Sequence, residues 1–265
     1  MVCSTALLLC LLQVDPAALV PLYRQALTAR EREFGPRHPK VARSASDLGL
    51  FLLKIGDREQ AGAALRRALE IDRGNLPDEH PLVAGDRENL ASALPPSQEV
   101  ATLLEQASAT TDSHLAARVL SKLGNLHEES GRNERALASY RRALELEETA
   151  ARLNDVALLL EPKGAEPLLR KALALRQRES GPRHPETAIS MNNLGNVLLA
   201  LGQLAEAERL HRQALALLEA VLGKDHPRVG VSCSNLADVL RAKGDVISAG
   251  ALDRRAAAIE KRNAK

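Results

Sequence analysis

The chain has 265 residues, 45% hydrophobic and 26% charged, which is typical of a folded globular protein. Its formal charge of +2 and its 2% aromatic content argue against nucleic acid as a partner, because there is no large basic field and there are few rings for base stacking. Three cysteines without a CxxC pair predict a reducing, cytoplasmic location with neither a disulfide framework nor a metal site, and we expect no cofactor.

The N-terminal segment, residues 1–14, contains an apolar run over residues 6–12. This run is too short to span a bilayer and lacks a basic leader region, so we expect no membrane association. We interpret the segment as the later part of a truncated first helix. Its leucines would have no preceding helix pair to cover them, and exposed apolar surface tends to become buried. We therefore predict that self-association through this helix, or further sequence, covers it.

A His-Pro pair recurs along the chain at a fixed interval. The sequence GPRHP at residues 35–39 is repeated unchanged at residues 181–185. His-Pro returns at His80 and at His226, and the step from His38 to His80 equals the step from His184 to His226. Proline is tolerated in the first turn of a helix, where its missing N–H would have no partner. We therefore predict that these histidines are loop or capping residues at the start of a helix, rather than metal ligands.

A second pattern, apolar–basic–alanine, recurs downstream of the first. Its alanines fall at positions 26, 68, 107, 143, 172, 214 and 256, which predicts seven second helices. A marker position in the first helix precedes each of them, at 5, 47, 89, 122, 155, 193 and 235. Glycines at 56, 131, 202 and 244 lie between the two helices, where a left-handed residue ends a helix. Each repeat is therefore predicted to be a helical hairpin.

The centre of the chain departs from the regular period. The interval between successive markers shortens after position 89 and returns to its first length only between 193 and 235, so the repeats at about 89–172 are compressed and degenerate. Pro95 and Pro96, and later Pro162, stand where the first helices of two central repeats would end. Because proline disrupts a helix and restricts the residue before it, we expect these first helices to be short.

With these repeats the chain resembles tetratricopeptide repeats of the kinesin-light-chain type, which have a 42-residue unit. The resemblance is carried by residues 191–195, 202, 205–208, 210–215 and 222–227 and extends over nearly the whole chain. It implies an all-α, right-handed α-solenoid of about seven helix-turn-helix repeats, forming a single domain over residues 1–265. It also implies that a partner protein or peptide binds in a concave groove lined by the first helices.

Three asparagines at marker positions, Asn89, Asn193 and Asn235, match the groove asparagine of that family. A carboxamide both donates and accepts, so these side chains are interpreted as clamps for a peptide backbone, with a merely solvated polar face as the alternative. Residues four before and three after a marker share its helix face. The candidate groove then consists of Arg43, Asp47, Asn89, Arg118, Lys122, Asn125, Asn193, Asn196, Asn235 and Asp238.

The charges of this candidate groove suggest the ligand. Positive charge is concentrated at Arg118 and Lys122, which predicts an extended ligand with acidic residues near its middle. Asp47, Lys122 and Asp155 replace the asparagine at their markers, so a uniform backbone clamp is not expected there.

The sequence favours a protein-interaction scaffold over an enzyme. There is no Gly-x-Ser-x-Gly, phosphate loop or GxGxxG motif, and His127-Glu128 has Gly131 where a zinc motif needs its second histidine. We therefore expect no catalytic residues and no enzymatic activity. The alternative is that the chain is the sensor or oligomerisation arm of a larger regulatory protein of the signalling-ATPase type.

Overall fold

The computed structural model describes residues 16–264, so the N-terminal segment and its marker at position 5 lie outside the described residues. The described chain forms a 3₁₀ turn, Pro16–Leu19, and thirteen α-helices, with no strand among these residues. The helices fall into two compact units, here called unit 1 (to Glu147) and unit 2 (from Glu148). Whether the chain acts as the single domain expected from its repeats stays a prediction.

The helices of unit 1 alternate between second and first helices of successive repeats. They are α1 (Val20–Phe34), α2 (Pro39–Lys54), α3 (Arg58–Arg73), α4 (Pro81–Ala93), α5 (Gln98–Ala107), α6 (Ser113–Glu129) and α7 (Asn133–Leu146). Unit 2 continues with α8 (Ala150–Leu158), α9 (Pro162–Glu179), α10 (Pro185–Ala200), α11 (Leu204–Leu222), α12 (Pro227–Ala242) and α13 (Val246–Asn263). Within each unit every helix packs on the next, and the prediction of an all-α chain of helix pairs is confirmed.

The predicted boundaries follow from local chemistry. His38, His80, His184 and His226 each precede a first helix, and each Nδ1 accepts a hydrogen bond from the backbone N–H two residues later. Proline follows at the first helical position, where no N–H is needed. Gly56 and its three counterparts between paired helices have φ of 70° to 89°. The cap and turn predictions are therefore confirmed.

The histidine cap can be tested at His226, whose Nδ1 accepts from Arg228 N–H at 3.1 Å. Replacing His226 by alanine is expected to lower the free energy of unfolding by about 1 kcal/mol, because one N–H of the first turn of α12 loses its partner. His226→Ser, which restores a preferred capping side chain, is the control and should recover most of the loss. Urea titration measures both variants, and equal stability of wild type and His226→Ala would contradict the capping role.

The central prolines shorten their helices as predicted. Helix α4 ends at Ala93, two residues before Pro95, and α8 ends at Leu158 after only nine residues. Helix α9 then begins at Pro162, where proline again occupies the first turn. The compressed repeats thus keep both helices of the hairpin, but the third has a short second helix as well, 10 residues in α5 against 13 in α4, whereas the fifth is short only in its first helix, α8.

Leucine and alanine form the core of each hairpin, and glycine allows the closest approach between its helices. Gly49 lies under Leu65, Gly124 under Tyr140 and Gly195 under His211, and a Cβ at these glycines would lie 2.6, 2.3 and 2.6 Å from the facing side chain. In all three pairs the larger residue follows the glycine by 16 positions. At these three positions a glycine on the first helix therefore leaves the space that a large side chain on the second helix fills.

Candidate functional site

The first-helix face of unit 1 begins with the charged pair on α2. Arg43 Nε lies 3.4 Å from Asp47 Oδ1, one turn apart on the helix, and both side chains are exposed. On the neighbouring first helix α4, Asn89 is half-buried, and its side chain has no hydrogen-bond partner among the described residues. Asn89 therefore keeps its amide groups available to a ligand, whereas Arg43 and Asp47 satisfy each other.

The two predicted cations on α6 share one buried carboxylate. Arg118 binds Glu88 through Nε at 3.0 Å and Nη2 at 2.6 Å, and Lys122 Nζ lies 2.8 Å from Glu88 Oε1. Burial of Glu88, whose side chain is only 6% exposed, opposes its ionisation, but the hydrogen bonds from Arg118 and Lys122 outweigh burial and hold its pKa below the usual value. The positive charge expected here is therefore partly neutralised within the protein.

Asn125, also on α6, is turned toward the second helix of its own hairpin. The Tyr140 hydroxyl lies 2.6 Å from Asn125 Oδ1 and 2.8 Å from Glu128 Oε2. Tyr140 is a core residue of α7, and its ring is buried against Gly124. Asn125 thus takes part in the hairpin interface, although it remains exposed.

In unit 2 the structure places one predicted asparagine against a residue that sequence reasoning missed. Asn193 Nδ2 on α10 donates to Asn154 Oδ1 on α8 at 2.6 Å. Asn154 stands one position before the marker Asp155, so the ladder of amides continues in a slightly shifted register. Asn193 therefore uses one N–H of its amide for a hydrogen bond inside unit 2, and its second N–H and its Oδ1 remain available to a ligand.

The remaining predicted residues of unit 2 differ in how far they are engaged. Asn196 is exposed, and Asn235 on α12 is half-buried with no side-chain hydrogen-bond partner within residues 16–264. Asp238 accepts from Arg241 at 2.6 Å, and Arg241 also binds Asp253 of α13 at 2.6 Å. Asp238 is therefore part of a hairpin ion-pair network, whereas Asn196 and Asn235 remain available.

A buried polar network below this face joins both helices of one hairpin to the next. His211 Nδ1 lies 3.0 Å from Asn192 Oδ1, and Asn192 Nδ2 donates to Ser232 Oγ at 2.7 Å. All three side chains are buried. Burial lowers the pKa of His211 to about 4, since desolvation outweighs the attraction of Asp238. These residues are inaccessible to a ligand, so the network positions α10, α11 and α12.

Within residues 16–264, no group of three or more histidine, cysteine, aspartate or glutamate side chains is arranged to hold a metal ion. In the same residues, each helix is too short or too polar to cross a bilayer.

Comparison with known structures shows similarity over most of the chain. BtubC (BKLC) from P. vanneervenii is 21% identical with a TM-score of 0.53, over 94% of this chain and 92% of that chain. PilF of Pseudomonas aeruginosa is 23% identical with a TM-score of 0.56, over 80% and 88%. Kinesin light chain TPR-like repeats of Podosopora anserina are 22% identical with a TM-score of 0.46, over 85% and 98%. A search of curated proteins gave no match.

Family models give the more specific result. One tetratricopeptide repeat model matches residues 8–74, 157–220 and 192–262, and a second matches residues 117–150. These segments include hairpins of both units and together cover more than half of the chain. The helix pairs, their capping histidines and the matched segments agree, and the chain belongs to the tetratricopeptide repeat family.

Proposed function

We propose that this protein is a non-catalytic scaffold that binds an extended segment or a helix of a partner protein on its first-helix faces. Tetratricopeptide repeats are generally interaction modules, and stacked repeats of this kind present extended surfaces to their partners. The observation that carries the proposal is the state of Asn89 and Asn235. Each is half-buried on a first helix, and each side chain lacks a hydrogen-bond partner among residues 16–264.

A peptide backbone is the natural complement of such an amide. A half-buried carboxamide has lost part of its hydration, and a passing peptide group offers it both a donor and an acceptor. Charge pairing does not distinguish the two faces, because charged side chains on both sets of helices are largely paired within the protein. Arg170 on a second helix binds Glu206 at 2.8 Å and Glu166 at 3.0 Å, and Arg118 on a first helix binds Glu88. The half-buried amides of Asn89 and Asn235 therefore favour the first-helix faces as the binding surface.

The charges of unit 1 favour an acidic residue within the ligand. Arg118 and Lys122 remain exposed while they share Glu88, so two positive charges face one negative charge. Their remaining N–H groups can donate charge-assisted hydrogen bonds to a ligand carboxylate. Binding through exposed charges of this kind weakens as salt is added, because mobile ions screen the attraction.

Affinity capture with matched variants tests the proposal. Replacing Asn89 and Asn235 by alanine is expected to weaken binding of the captured partner by about 0.5–1.5 kcal/mol for each hydrogen bond lost. The control replaces Gln25 and Gln177 by alanine, since these are exposed amides on the second helices α1 and α9 of the two units. Circular dichroism verifies that each variant keeps its helices.

The charge test must account for Glu88. Reversing Arg118 and Lys122 alone would leave a buried carboxylate without its cations and would destabilise unit 1. The triple variant Glu88→Gln, Arg118→Gln, Lys122→Gln removes the cluster without that penalty and should reduce the salt dependence of partner binding. If it and the double asparagine variant both bind like wild type, while Arg141→Glu with Arg142→Glu on α7 abolishes binding, the second-helix face is the site and the proposal is wrong.

A further inference from the structure

A cleft of about 510 Å³ lies between the first helices α2 and α4 of unit 1. Its walls include residues at helical spacing on both helices, and its floor carries two aspartates, Asp72 from α3 and Asp86 from α4. Each aspartate is only 7% exposed. Neither residue is among the candidate groove residues predicted from the sequence, since Asp72 lies on a second helix and Asp86 lies three before its marker, outside the offsets of four before and three after.

The two carboxyl groups at the floor are incompletely satisfied. Ser46 Oγ donates to Asp86 Oδ1 at 2.6 Å, but Asp86 Oδ2 and Asp72 Oδ1 are buried without a hydrogen-bond donor among the described residues. Burial raises the pKa of Asp86 to about 6, helped by the neighbouring charge of Asp72, and burial also raises the pKa of Asp72. The two carboxyl groups also lie within hydrogen-bonding reach of each other, a contact that needs a shared proton, so a ligand N–H group that donates to both oxygens would take the place of that proton.

The cations of this protein that surround the pair do not satisfy it. Arg43 attracts Asp86 and His80 attracts Asp72, but Arg43 is paired with Asp47, and His80 uses Nδ1 to cap α4. Lys40 lies over the ring of Phe34, with Nζ 3.9 Å from its centre. The charged groups around the pair are thus Arg30, Lys40, Arg43, Asp47 and His80.

The cleft has apolar walls above the two aspartates, which suit the aliphatic part of a long ligand side chain. Leu50 on α2 and Leu82 on α4 line the cleft and are 42% and 51% exposed, which is high for leucine. Gly85 inside α4 also lines the cleft, and a Cβ placed there would have no atom within 4 Å. Glycine within a helix costs about 1 kcal/mol relative to alanine, and here it keeps the space beside Asp86 open.

We propose that this cleft binds an arginine or lysine side chain of the partner segment, with the stem between Leu50 and Leu82 and the cationic head on Asp72 and Asp86. The inference rests on the proposed scaffold function and specifies one residue of the ligand. The guanidinium or ammonium group supplies the donors that the two aspartates lack. The arginine or lysine of the ligand would therefore bind at the α2–α4 cleft of unit 1, which does not include Arg118, Lys122 or Glu88.

Two blocked pentapeptides test the site on the full chain: Ala-Ala-Arg-Ala-Ala and the same peptide with citrulline in place of arginine. Amide NMR signals of Ser46, Gly85 and Asp86 report on the cleft. The arginine peptide should shift them saturably, and the citrulline peptide, which keeps the shape but not the charge, should bind roughly tenfold more weakly. No saturable shift of these signals, or equal affinity for both peptides, would overturn the inference.

Variants separate the cleft floor from other carboxylates of unit 1. Asp72→Asn with Asp86→Asn should weaken arginine-peptide binding roughly tenfold, whereas Glu70→Gln, at an exposed carboxylate of α3 outside the cleft, should change it less than about twofold. Gly85→Leu, which fills the open space and keeps both aspartates, should block the peptide. Wild-type affinity in both floor-directed variants would overturn the inference. If Asp72→Asn with Asp86→Asn binds the captured partner like wild type while Asn89→Ala with Asn235→Ala weakens binding, only the inference fails. If neither variant weakens binding of the captured partner, the proposed function fails as well.

Discussion

Replacing Gly124 by alanine is expected to destabilise unit 1 by about 2–3 kcal/mol. The added methyl group would lie 2.3 Å from Cε1 of Tyr140 and 2.5 Å from Cδ1, distances that require the ring to move. Tyr140 is almost fully buried, and its hydroxyl is held by Asn125 and Glu128, so the ring has little freedom to shift. Overpacking in such a place forces the two helices apart or the ring off its rotamer.

Gly85→Ala is the matched control, because it adds the same methyl group to another first helix of unit 1. No atom lies within 4 Å of a Cβ at that position, so the better helix propensity of alanine should raise stability by up to about 1 kcal/mol. Urea unfolding followed by circular dichroism measures both variants. A Gly124→Ala protein as stable as wild type would show that α6 and α7 do not depend on this close contact.

Acidification from about pH 6.5 to 4 is expected to cost unit 2 about 3 kcal/mol through His211. The folded state keeps this ring neutral because its pKa is lowered to about 4, whereas the unfolded chain takes up a proton near the ordinary value of 6.5. In that window the unfolded state binds more protons, so lowering the pH favours it. Each pKa unit corresponds to about 1.4 kcal/mol, which gives the size of the effect.

The pH effect must be read in unit 2 alone. Asp86 of unit 1 has a raised pKa of about 6 and acts in the opposite sense, since its contribution to stability is present at low pH and is lost as the pH rises through 6. Hydrogen exchange of amides in α10 and α11 measures the response of unit 2. Glu206 and Glu208, whose pKa values are lowered by hydrogen bonds from Arg170 and Lys243, lose stability in the same direction on acidification, so the difference between wild type and a His211 variant gives the share of His211. Leucine occupies the equivalent position in an earlier hairpin, at Leu65. The variant His211→Leu should therefore fold, and it should remove most of the change in the stability of unit 2 between pH 6.5 and 4. An unchanged slope would refute the assignment.

The hairpins could be predicted from sequence because their signals are local. A histidine that caps its own helix, as His184 does, needs only the following residues, and Gly202 needs only the turn that it forms. Proline acts on its immediate neighbours in the same way, so the end of α4 before Pro95 and the start of α9 at Pro162 were predictable. The repeated period then extended these local signals to the whole chain.

The partners of the candidate site residues could not be predicted in this way. Glu88 on α4 is separated from Arg118 on α6 by the whole of α5, and Asp72 and Asp86 stand on different helices, α3 and α4. These contacts arise from packing between helices, and the changed spacing of the central repeats prevents a simple transfer of positions from one repeat to the next. The helix face that carries Asn89 was predictable, but the carboxylate beside Arg118 required the structure.

The pairing of glycine with a large residue across three of the hairpins has an evolutionary consequence. Glycine on a first helix accompanies leucine, tyrosine or histidine on the second, whereas Ala237 of α12 stands 16 positions before the smaller Asp253. A recombined chain that joined α12 to a second helix bearing a tyrosine or histidine would press the methyl group of its alanine into a ring. We therefore expect crossovers between repeats to preserve folding when they fall in the loops between hairpins, so that the intact helix pair is the unit that can be exchanged.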